Sequence, residues 1–184
     1  CESQPTDRKK VVILGGGPAG THAASAAAKN GLKTALVEAD ALGGTCLNRG
    51  CIPTKTLLHT AELCREARTG AEIGLVAPEV SVDMAALQTY KNGVVEKLAA
   101  GIEQGLQKAK VTLLRGSARL LSPTEVEVNG EVLKTKRVLI ATGSLPARIP
   151  VPGSDLPGVY DSTGMLALAT IPERVVILAG GVLG

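Results

Sequence analysis

The sequence predicts an α/β fold, a doubly wound parallel sheet with an antiparallel β-meander inserted in its later part. Residues 11–14 are a short apolar run, typical of a strand that is buried on both faces of a parallel sheet. A glycine-rich turn follows, then an Ala-rich helix over residues 21–29 and a second strand over residues 34–37. Asn129-Gly130 is a strong marker of a tight hairpin within the meander.

Two longer helices lie between the first strands and the meander. Residues 53–68 carry an apolar stripe at helical spacing and begin with Pro53, which the first turn of a helix accepts. Residues 83–108 repeat this pattern over a greater length, whereas the glycine-rich stretch 41–50 is expected to be irregular. The remaining expectations are strands over residues 111–114, 117–121, 125–128, 131–134, 137–141 and 174–178, and disorder over residues 1–10.

The composition excludes several classes of function. Aromatic residues make up 1% of the chain, so a surface that stacks nucleic-acid bases is not expected. The net charge of +3 is too small to indicate a nucleic acid or a membrane as partner, and the basic clusters at 8–10 and 134–137 are expected to be solvated. No apolar run is long enough to span a membrane. Four cysteines are too few for a secreted disulfide scaffold, so a close cysteine pair indicates redox or metal chemistry.

The glycine turn, Gly-Gly-Gly-Pro-Ala-Gly at residues 15–20, has the context of a dinucleotide-binding turn. It follows a strand and opens a helix, and Glu38 lies 18 residues after Gly20 at the end of the next strand. Gly15 permits the tight turn, Gly17 leaves room for a diphosphate, and Gly20 lets the helix pack closely on the strand. The helix N-terminus would attract the diphosphate, and Glu38 would accept hydrogen bonds from a ribose diol. A purely structural turn is the alternative.

Cys46 and Cys51 form a second motif, five positions apart within GGTCLNRGCIPTK at residues 43–55. In an ideal helix this spacing separates the two Cα atoms by roughly 8.7 Å, whereas a disulfide requires about 6.8 Å at most. The segment must therefore distort for the bond to form, and a distorted, accessible disulfide is easily reduced. A metal site is one alternative, although neither His59 nor Cys64 has suitable spacing for it; a chance pair is the other.

The glycine turn and the run LNRGCIPTK together resemble the pyridine nucleotide-disulfide oxidoreductase family, over nearly all of residues 10–184. The resemblance implies a Rossmann-like FAD-binding domain over residues 11–146, a connecting segment over 147–172 and the first strand of an NAD-binding domain over 173–184. It implies FAD as the bound cofactor and NAD as the electron acceptor. LNRGCIPTK is most similar to the members that oxidise dihydrolipoamide, carried by the lipoyl domains of 2-oxo acid dehydrogenase complexes. A mercuric or glutathione-type reductase, or an FAD-binding fragment without turnover, is the alternative.

The resemblance also assigns roles to individual residues. Cys51 would face the flavin as the charge-transfer thiolate, and Cys46 would be the interchange thiol that reacts with the dithiol. Lys55 would reach the region of flavin N5, with a solvated helix lysine as the alternative. Residues 141–143 resemble the second family motif, which closes over the FAD. The residues expected to contact the cofactor are Gly15, Gly17, Pro18, Ala19, Gly20, Glu38, Ala39, Gly43, Gly44, Thr45, Cys46, Cys51, Lys55, Gly116, Ala118, Ala141, Thr142, Gly143 and Ser144.

Further expectations concern the complete enzyme. The family's catalytic base and the segment that returns to the flavin would lie beyond residue 184, so the FAD-binding domain is expected to be incomplete here. The chain alone is therefore expected to have little NAD-linked activity. The full-length enzyme would be a homodimer in the bacterial cytoplasm or the mitochondrial matrix. His22 and His59 are expected to be packing or surface residues.

Overall fold

The computed structural model describes residues 9–77, 79–147 and 150–181 of the 184-residue chain. Within these ranges, no helix combines the length and the apolar character that crossing a membrane requires. The elements in chain order are β1 (Lys9–Leu14), α1 (Pro18–Lys29), β2 (Thr34–Glu38), α2 (Gly44–Arg49), α3 (Cys51–Thr69), a 3-10 helix (Gly70–Ile73), α4 (Met84–Lys108), β3 (Thr112–Arg115), β4 (Ala118–Ser122), β5 (Glu125–Val128), β6 (Glu131–Ile140) and α5 (Ser162–Leu166).

The chain divides into two compact units. The first is Cys1–Asn48 together with Glu96–Ser144, and the second is Arg49–Val95 together with Leu145–Gly184. All six described strands and α1 belong to the first unit, whereas α3 and α5 belong to the second. The boundaries between the units fall within α2, within α4 and between Ser144 and Leu145.

The first unit is built on a six-stranded sheet with the order β3-β2-β1-β6-β5-β4. The strands β3, β2, β1 and β6 run parallel, and β6, β5 and β4 form the antiparallel meander. β6 belongs to both parts, because residues 135–140 pair with β1 and residues 131–134 pair with β5. This order brings the turns that follow β1, β2, β3 and β6 to one carboxyl-terminal edge, where open α/β sheets bind their ligands.

The parallel strands are buried on both faces. Val12 and Leu14 of β1 point into a core shared with the meander residues Val126 and Val128. Ile13, between them in sequence, points to the opposite face. There it packs with Ala24 of α1 and Leu106 of α4. The continuous apolar runs of the sequence reflect this two-sided burial, and the predicted fold class, α/β with a parallel sheet and an inserted meander, is confirmed.

The second unit contains a buried lysine on α4. Lys91 is 7% exposed, and its Nζ donates hydrogen bonds to Gln88 Oε1 and to the main-chain oxygen of Leu166, the latter at 2.9 Å. Gln88 Nε2 in turn donates to the main-chain oxygen of Leu168 at 2.9 Å. These bonds hold the end of α5 and the residues after it against α4. Burial lowers the pKa of Lys91 below its ordinary value.

Some elements differ from the sequence-based expectations. The stretch 41–50 is not wholly irregular, because α2 forms within it and ends at Arg49. The strands expected over 131–134 and 137–141 are one continuous strand, in which Thr135 donates its N–H to the main-chain oxygen of Thr124. The strand expected over 174–178 is wrong: these residues are exposed, and no described strand offers them hydrogen bonds. β1 begins at Lys9, and the rest of the expected disordered segment lies outside the described residues.

Candidate functional site

Two glycines of the turn after β1 are required by the protein's own backbone. Gly15 has a φ of +104°, a left-handed conformation that is cheap only for glycine. A Cβ at Gly15 would lie 2.2 Å from the main-chain oxygen of Ala141, and a Cβ at Gly20 would lie 1.8 Å from that of Gly15. The roles predicted for these two positions, the tight turn and the close packing of α1, agree with this geometry.

Gly17 differs from its neighbours. It is the N-cap of α1 with φ −72° and ψ −176°, an extended conformation that any residue adopts. A Cβ there would meet no atom nearer than Gly44 Cα at 3.7 Å, an ordinary contact. The fold therefore does not require glycine at position 17. Its open face lies at the N-terminus of α1, where the first-turn N–H groups have no partners within the helix.

Glu38 connects the glycine turn to two neighbouring loops. Its Oε2 accepts a hydrogen bond from Gly16 N at 2.6 Å, and its Oε1 accepts one from Asp40 N at 2.8 Å. Its main-chain oxygen accepts a hydrogen bond from Gly116 N at 2.9 Å. Each carboxylate oxygen has a second lone pair, so the same carboxylate can accept hydrogen bonds from a ribose diol. Gly16 was not among the predicted site residues, although it stands inside the motif.

The loop after β6 lies beside the glycine turn. Ala141 N donates to the main-chain oxygen of Leu14 at 2.8 Å, so the predicted residues 141–144 follow directly at the same edge of the sheet. Gly143 has a φ of +71° in the left-handed region, and the side chains of Thr142 and Ser144 are exposed. The exposed residues Pro18 and Ala19, in the first turn of α1, and Ala39, directly after β2, also lie at this edge.

A hairpin side chain fixes the loop that carries Gly116 and Ala118. Asn129 Nδ2 donates to the main-chain oxygen of Arg115 at 2.8 Å. A Cβ at Gly116, whose φ is +143°, would lie 2.1 Å from Asn129 Oδ1. The tip of the hairpin β5–β6 therefore closes on the turn after β3. Sequence reasoning identified Asn129-Gly130 as a turn and missed this second role, because the partner lies 14 positions away.

The loop before α2 packs against the glycine turn. Gly43 N donates to the main-chain oxygen of Gly16 at 2.8 Å, and a Cβ at Gly44 would lie 2.8 Å from Gly17 Cα. Cys46, half-buried, is in the first turn of α2, after the exposed Thr45. Asn48 Nδ2 donates to the main-chain oxygens of Leu42 and Gly44, both at 3.0 Å, and so fixes α2 to its loop. Sequence reasoning missed Asn48; its position four residues after Gly44 on a short helix was the available signal.

Cys51 and Lys55 lie on the other side of a break in the helix. α2 ends at Arg49, and Gly50 (φ −149°, ψ −111°) separates it from α3, which begins at Cys51. The helical path between the two cysteines is thus interrupted at Gly50. Cys51 and Lys55 are both exposed and stand four positions apart on one face of the first turns of α3.

The remaining candidate ligands are dispersed. Cys46, Cys51 and Cys64 are thiols in the structure. His22 and His59 are exposed, as expected of surface histidines, and His22 Nδ1 lies 2.8 Å from the main-chain oxygen of Pro18. Within residues 9–77, 79–147 and 150–181, no three His, Cys, Asp or Glu side chains are grouped so that they could hold a metal ion.

A parallel sheet with a glycine turn after β1 and an acidic residue at the end of β2 defines the dinucleotide-binding class of α/β proteins. The chain belongs to the pyridine nucleotide-disulphide oxidoreductase family, whose model matches residues 9–184. The resemblance seen in the sequence is thereby confirmed.

Named relatives share most of this chain. It is 42% identical to the mitochondrial dihydrolipoyl dehydrogenase of Pisum sativum, over 97% of this chain and 37% of that protein. It is 44% identical to the dihydrolipoyl dehydrogenase of Trypanosoma brucei brucei, over 95% of this chain and 38% of that protein. Among solved structures, it is similar to the HOCl-induced flavoprotein disulfide reductase RclA from Escherichia coli, with a TM-score of 0.74 and 33% identity. That similarity covers 89% of this chain and 35% of RclA, so the chain spans under two fifths of each of these relatives.

Proposed function

We propose that this chain binds FAD in its first unit and carries the redox-active cysteine pair of a dihydrolipoyl dehydrogenase. The contact between Gly17 and Gly44 is the observation that supports this most strongly. It brings the open face at the start of α1, which suits a diphosphate, next to the loop that begins the Cys46 helix. A nucleotide cofactor and a reactive thiol would therefore share one neighbourhood.

The first unit has residues suited to each part of FAD. The N-terminus of α1 at Gly17 would hold the diphosphate, since its N–H groups and partial positive charge favour an anion. Glu38 would accept the ribose hydroxyls on its second lone pairs. Gly116 and Ala118 would border the adenine, and residues 141–144 would close over the cofactor. When bound, FAD would take an electron pair from the cysteine pair and pass it as hydride to NAD.

The two cysteines would perform thiol–disulfide exchange. A thiolate of dihydrolipoamide attacks Sγ of Cys46 in the Cys46–Cys51 disulfide, so that the old S–S bond breaks and a mixed disulfide forms at Cys46. Cys51 leaves as a thiolate, which the N-terminus of α3 and the cation of Lys55 stabilise. The second thiolate of the substrate then attacks the substrate sulfur in the mixed disulfide, releasing oxidised lipoamide and the thiolate of Cys46. The cysteine pair gains the two electrons that the dithiol loses.

We also propose the setting of this activity. The division into an FAD-binding domain over 11–146 and later segments that lead towards an NAD-binding domain follows the family resemblance. A protein of the relatives' full length carrying this chain would act as a homodimer on lipoyl domains, in the bacterial cytoplasm or the mitochondrial matrix. The relatives support both locations, since they include mitochondrial and bacterial dihydrolipoyl dehydrogenases.

The test is the visible absorption spectrum of the purified chain with one equivalent of FAD, before and after reduction by dihydrolipoamide. We expect a protein-bound flavin spectrum that gains a long-wavelength shoulder on reduction. Cys46→Ser should show the shoulder without reduction, because Cys51 is then not held in a disulfide, and Cys51→Ser should never show it. Cys64→Ser, in which the half-buried thiol of α3 is changed, is the matched control and should behave as the parent chain. Failure to bind FAD, or a shoulder in Cys51→Ser, would contradict the proposal.

A second candidate is a reductase of the same family that acts on another disulfide or on a metal ion. The structural similarity to the flavoprotein disulfide reductase RclA favours it. Turnover of dihydrolipoamide and of oxidised glutathione by a protein of full family length carrying this chain separates the two. Faster turnover of glutathione disulfide would favour the second candidate.

A further inference from the structure

The helix that carries Cys46 is too short to be stable by itself. α2 comprises the six residues Gly44–Arg49. Isolated helices of fewer than about 12 residues are marginal in water, because each must repay the cost of its first turn with few hydrogen bonds. Contacts from outside the helix must therefore hold α2 in place. Those contacts also decide the direction in which the thiol of Cys46 points.

One contact between α2 and the preceding loop is apolar. Leu47 is buried, and a Cβ at Gly43 would overlap its side chain, so Leu47 lies directly on the main chain of the loop. Leu42, the residue before Gly43, is also buried and packs in the core formed with β1 and β2. A Cβ at Gly16 would lie 2.7 Å from Leu42 Cδ2. The loop itself is thus anchored in the core and against the glycine turn.

The other contact is polar and is made by a single side chain. Asn48 Nδ2 donates hydrogen bonds to the main-chain oxygens of Leu42 and Gly44, both at 3.0 Å. The amide nitrogen has two N–H groups, so each bond uses one of them. The first bond joins the end of α2 to the anchored loop, and the second joins it to the first residue of the helix.

The direction of Asn48 determines the direction of Cys46. Residues four apart share a face of a helix, so Gly44 and Asn48 both lie on the side that faces the loop. Residues two apart are separated by about 200° around the helix axis, so Cys46 lies on the opposite side from Asn48. All of these residues belong to the first unit. Release of the Asn48 amide would allow α2 to fray or rotate, and the thiol would move with it.

We propose that Asn48 is a positioning residue for Cys46, an inference that rests on the proposed function. In the exchange step a substrate thiolate attacks Cys46 Sγ in the Cys46–Cys51 disulfide, and Cys51 leaves as a thiolate. The attack must come along the axis of the S–S bond, so its rate depends on the orientation of Cys46. The two hydrogen bonds from Asn48 hold that orientation and keep Cys46 half-buried. The alternative is that Asn48 only stabilises the fold.

The first arm of the experiment measures alkylation of each cysteine by iodoacetamide in the reduced, cofactor-free chain, with peptide mass spectrometry as the readout. A thiolate displaces iodide from this small reagent, so access to the thiol dominates the rate. Asn48→Ala should raise the rate at Cys46 roughly five- to fiftyfold relative to Cys64, because two net hydrogen bonds are lost. Cys64, half-buried on α3, is the internal reference. An unchanged ratio of the two rates would overturn the proposal.

The second arm measures the rate at which dihydrolipoamide reduces the chain loaded with FAD, followed by the long-wavelength shoulder. Asn48→Ala should slow this reduction roughly five- to fiftyfold, although the same change makes Cys46 more accessible. A residue that only stabilised the fold would change neither rate well below the melting temperature. Equal rates in Asn48→Ala and the parent chain would overturn the proposal. Failure of the parent chain to bind FAD would instead contradict the proposed function, and the alkylation rates would still decide the role of Asn48.

Asn30→Ala is the matched control. Asn30 Nδ2 donates to the main-chain oxygen of Ala26, four residues earlier, at 2.9 Å, as Asn48 does to that of Gly44. The control therefore removes a bond of the same kind from the end of α1, and both rates should stay within twofold of the parent. Changes in Asn30→Ala as large as those in Asn48→Ala would show that lost stability is the cause and would overturn the proposal.

Two further variants separate the hydrogen bonds from the size of the side chain. Asn48→Asp has the same shape without N–H groups and should resemble Asn48→Ala. Asn48→Ser keeps one donor, which reaches the oxygen four residues earlier, and should give intermediate rates. Thermal melts check that each variant is folded, and Asn48→Ser decides the question if Asn48→Ala does not fold. Rates equal to those of the parent in Asn48→Asp would overturn the proposal.

Discussion

Replacing Gly17 by alanine separates what the fold needs from what a bound cofactor needs. The backbone at Gly17 is extended, and a methyl group there would meet only Gly44 Cα at 3.7 Å. At Gly20, three positions later, the same methyl group would lie 1.8 Å from the main-chain oxygen of Gly15. Gly17→Ala should therefore leave the fold intact, whereas Gly20→Ala should force α1 away from the turn.

The magnitudes follow from these contacts. At an N-cap, alanine is less favourable than glycine by about 1 kcal/mol. Alanine also reduces the conformational entropy of the unfolded chain, which stabilises the folded state by about 0.4–1 kcal/mol. The net change in the free energy of unfolding for Gly17→Ala should thus lie within about 1 kcal/mol of zero. Overpacking at Gly20 should cost about 1–3 kcal/mol or more, which lowers the melting temperature by roughly 2–12 °C for a chain of this size.

Although Gly17→Ala should leave the fold intact, it should weaken the binding of FAD. A methyl group on the open face would keep a diphosphate from the N–H groups of α1. Each charge-assisted hydrogen bond lost would cost about 1.5–3 kcal/mol, so FAD should bind roughly ten- to 150-fold more weakly. The assays are thermal unfolding of the ligand-free chain and titration of flavin fluorescence. Unchanged FAD affinity in Gly17→Ala would refute the placement of the diphosphate, and unfolding of this variant would refute the steric argument.

Two further changes test other parts of the structure. Glu38→Gln should destabilise the ligand-free chain by roughly 1–3 kcal/mol, because an amide cannot accept from both Gly16 N and Asp40 N; an unchanged urea midpoint would contradict this. Burial lowers the pKa of Lys91, so the folded chain binds that proton less readily than the unfolded chain. Stability should therefore rise as pH rises towards the ordinary lysine pKa, and Lys91→Met should lose this rise in urea titrations at stepped pH; equal pH slopes would count against it.

Much of the fold was predictable because the burial of an element determines the local pattern of apolar residues in the sequence. Residues 11–14 are apolar at every position and residues 34–37 at every position except Thr34, since both faces of those strands are covered. α4 repeats apolar residues at helical period. The short helix α2 was not predictable in the same way. Gly43 precedes it, Gly44 begins it and Asn48 lies near its end, and these residue types locally favour a turn. The hydrogen bonds from Asn48 to the main-chain oxygens of Leu42 and Gly44 stabilise the helix.

The candidate site was predictable at positions where the backbone geometry can be satisfied by only one type of residue. The glycines at 15 and 20 satisfy close approaches, and the sequence context indicated both. The sequence could not indicate that Asn129 would close on the turn after β3. That contact depends on which strands become neighbours and in what register, which is decided by packing across the whole first unit.

The double pairing of β6 has a consequence for the order of folding. Its first four residues pair with β5 through a tight hairpin, a local event that closes a very short loop. Its last six pair with β1, from the opposite end of the unit's sequence, and such long-range pairings form slowly. The hairpin can therefore assemble early and present a ready-made strand to the central sheet. Substitutions that weaken the Asn129-Gly130 turn should slow this assembly, while those confined to the β1–β6 ladder should mainly hasten unfolding.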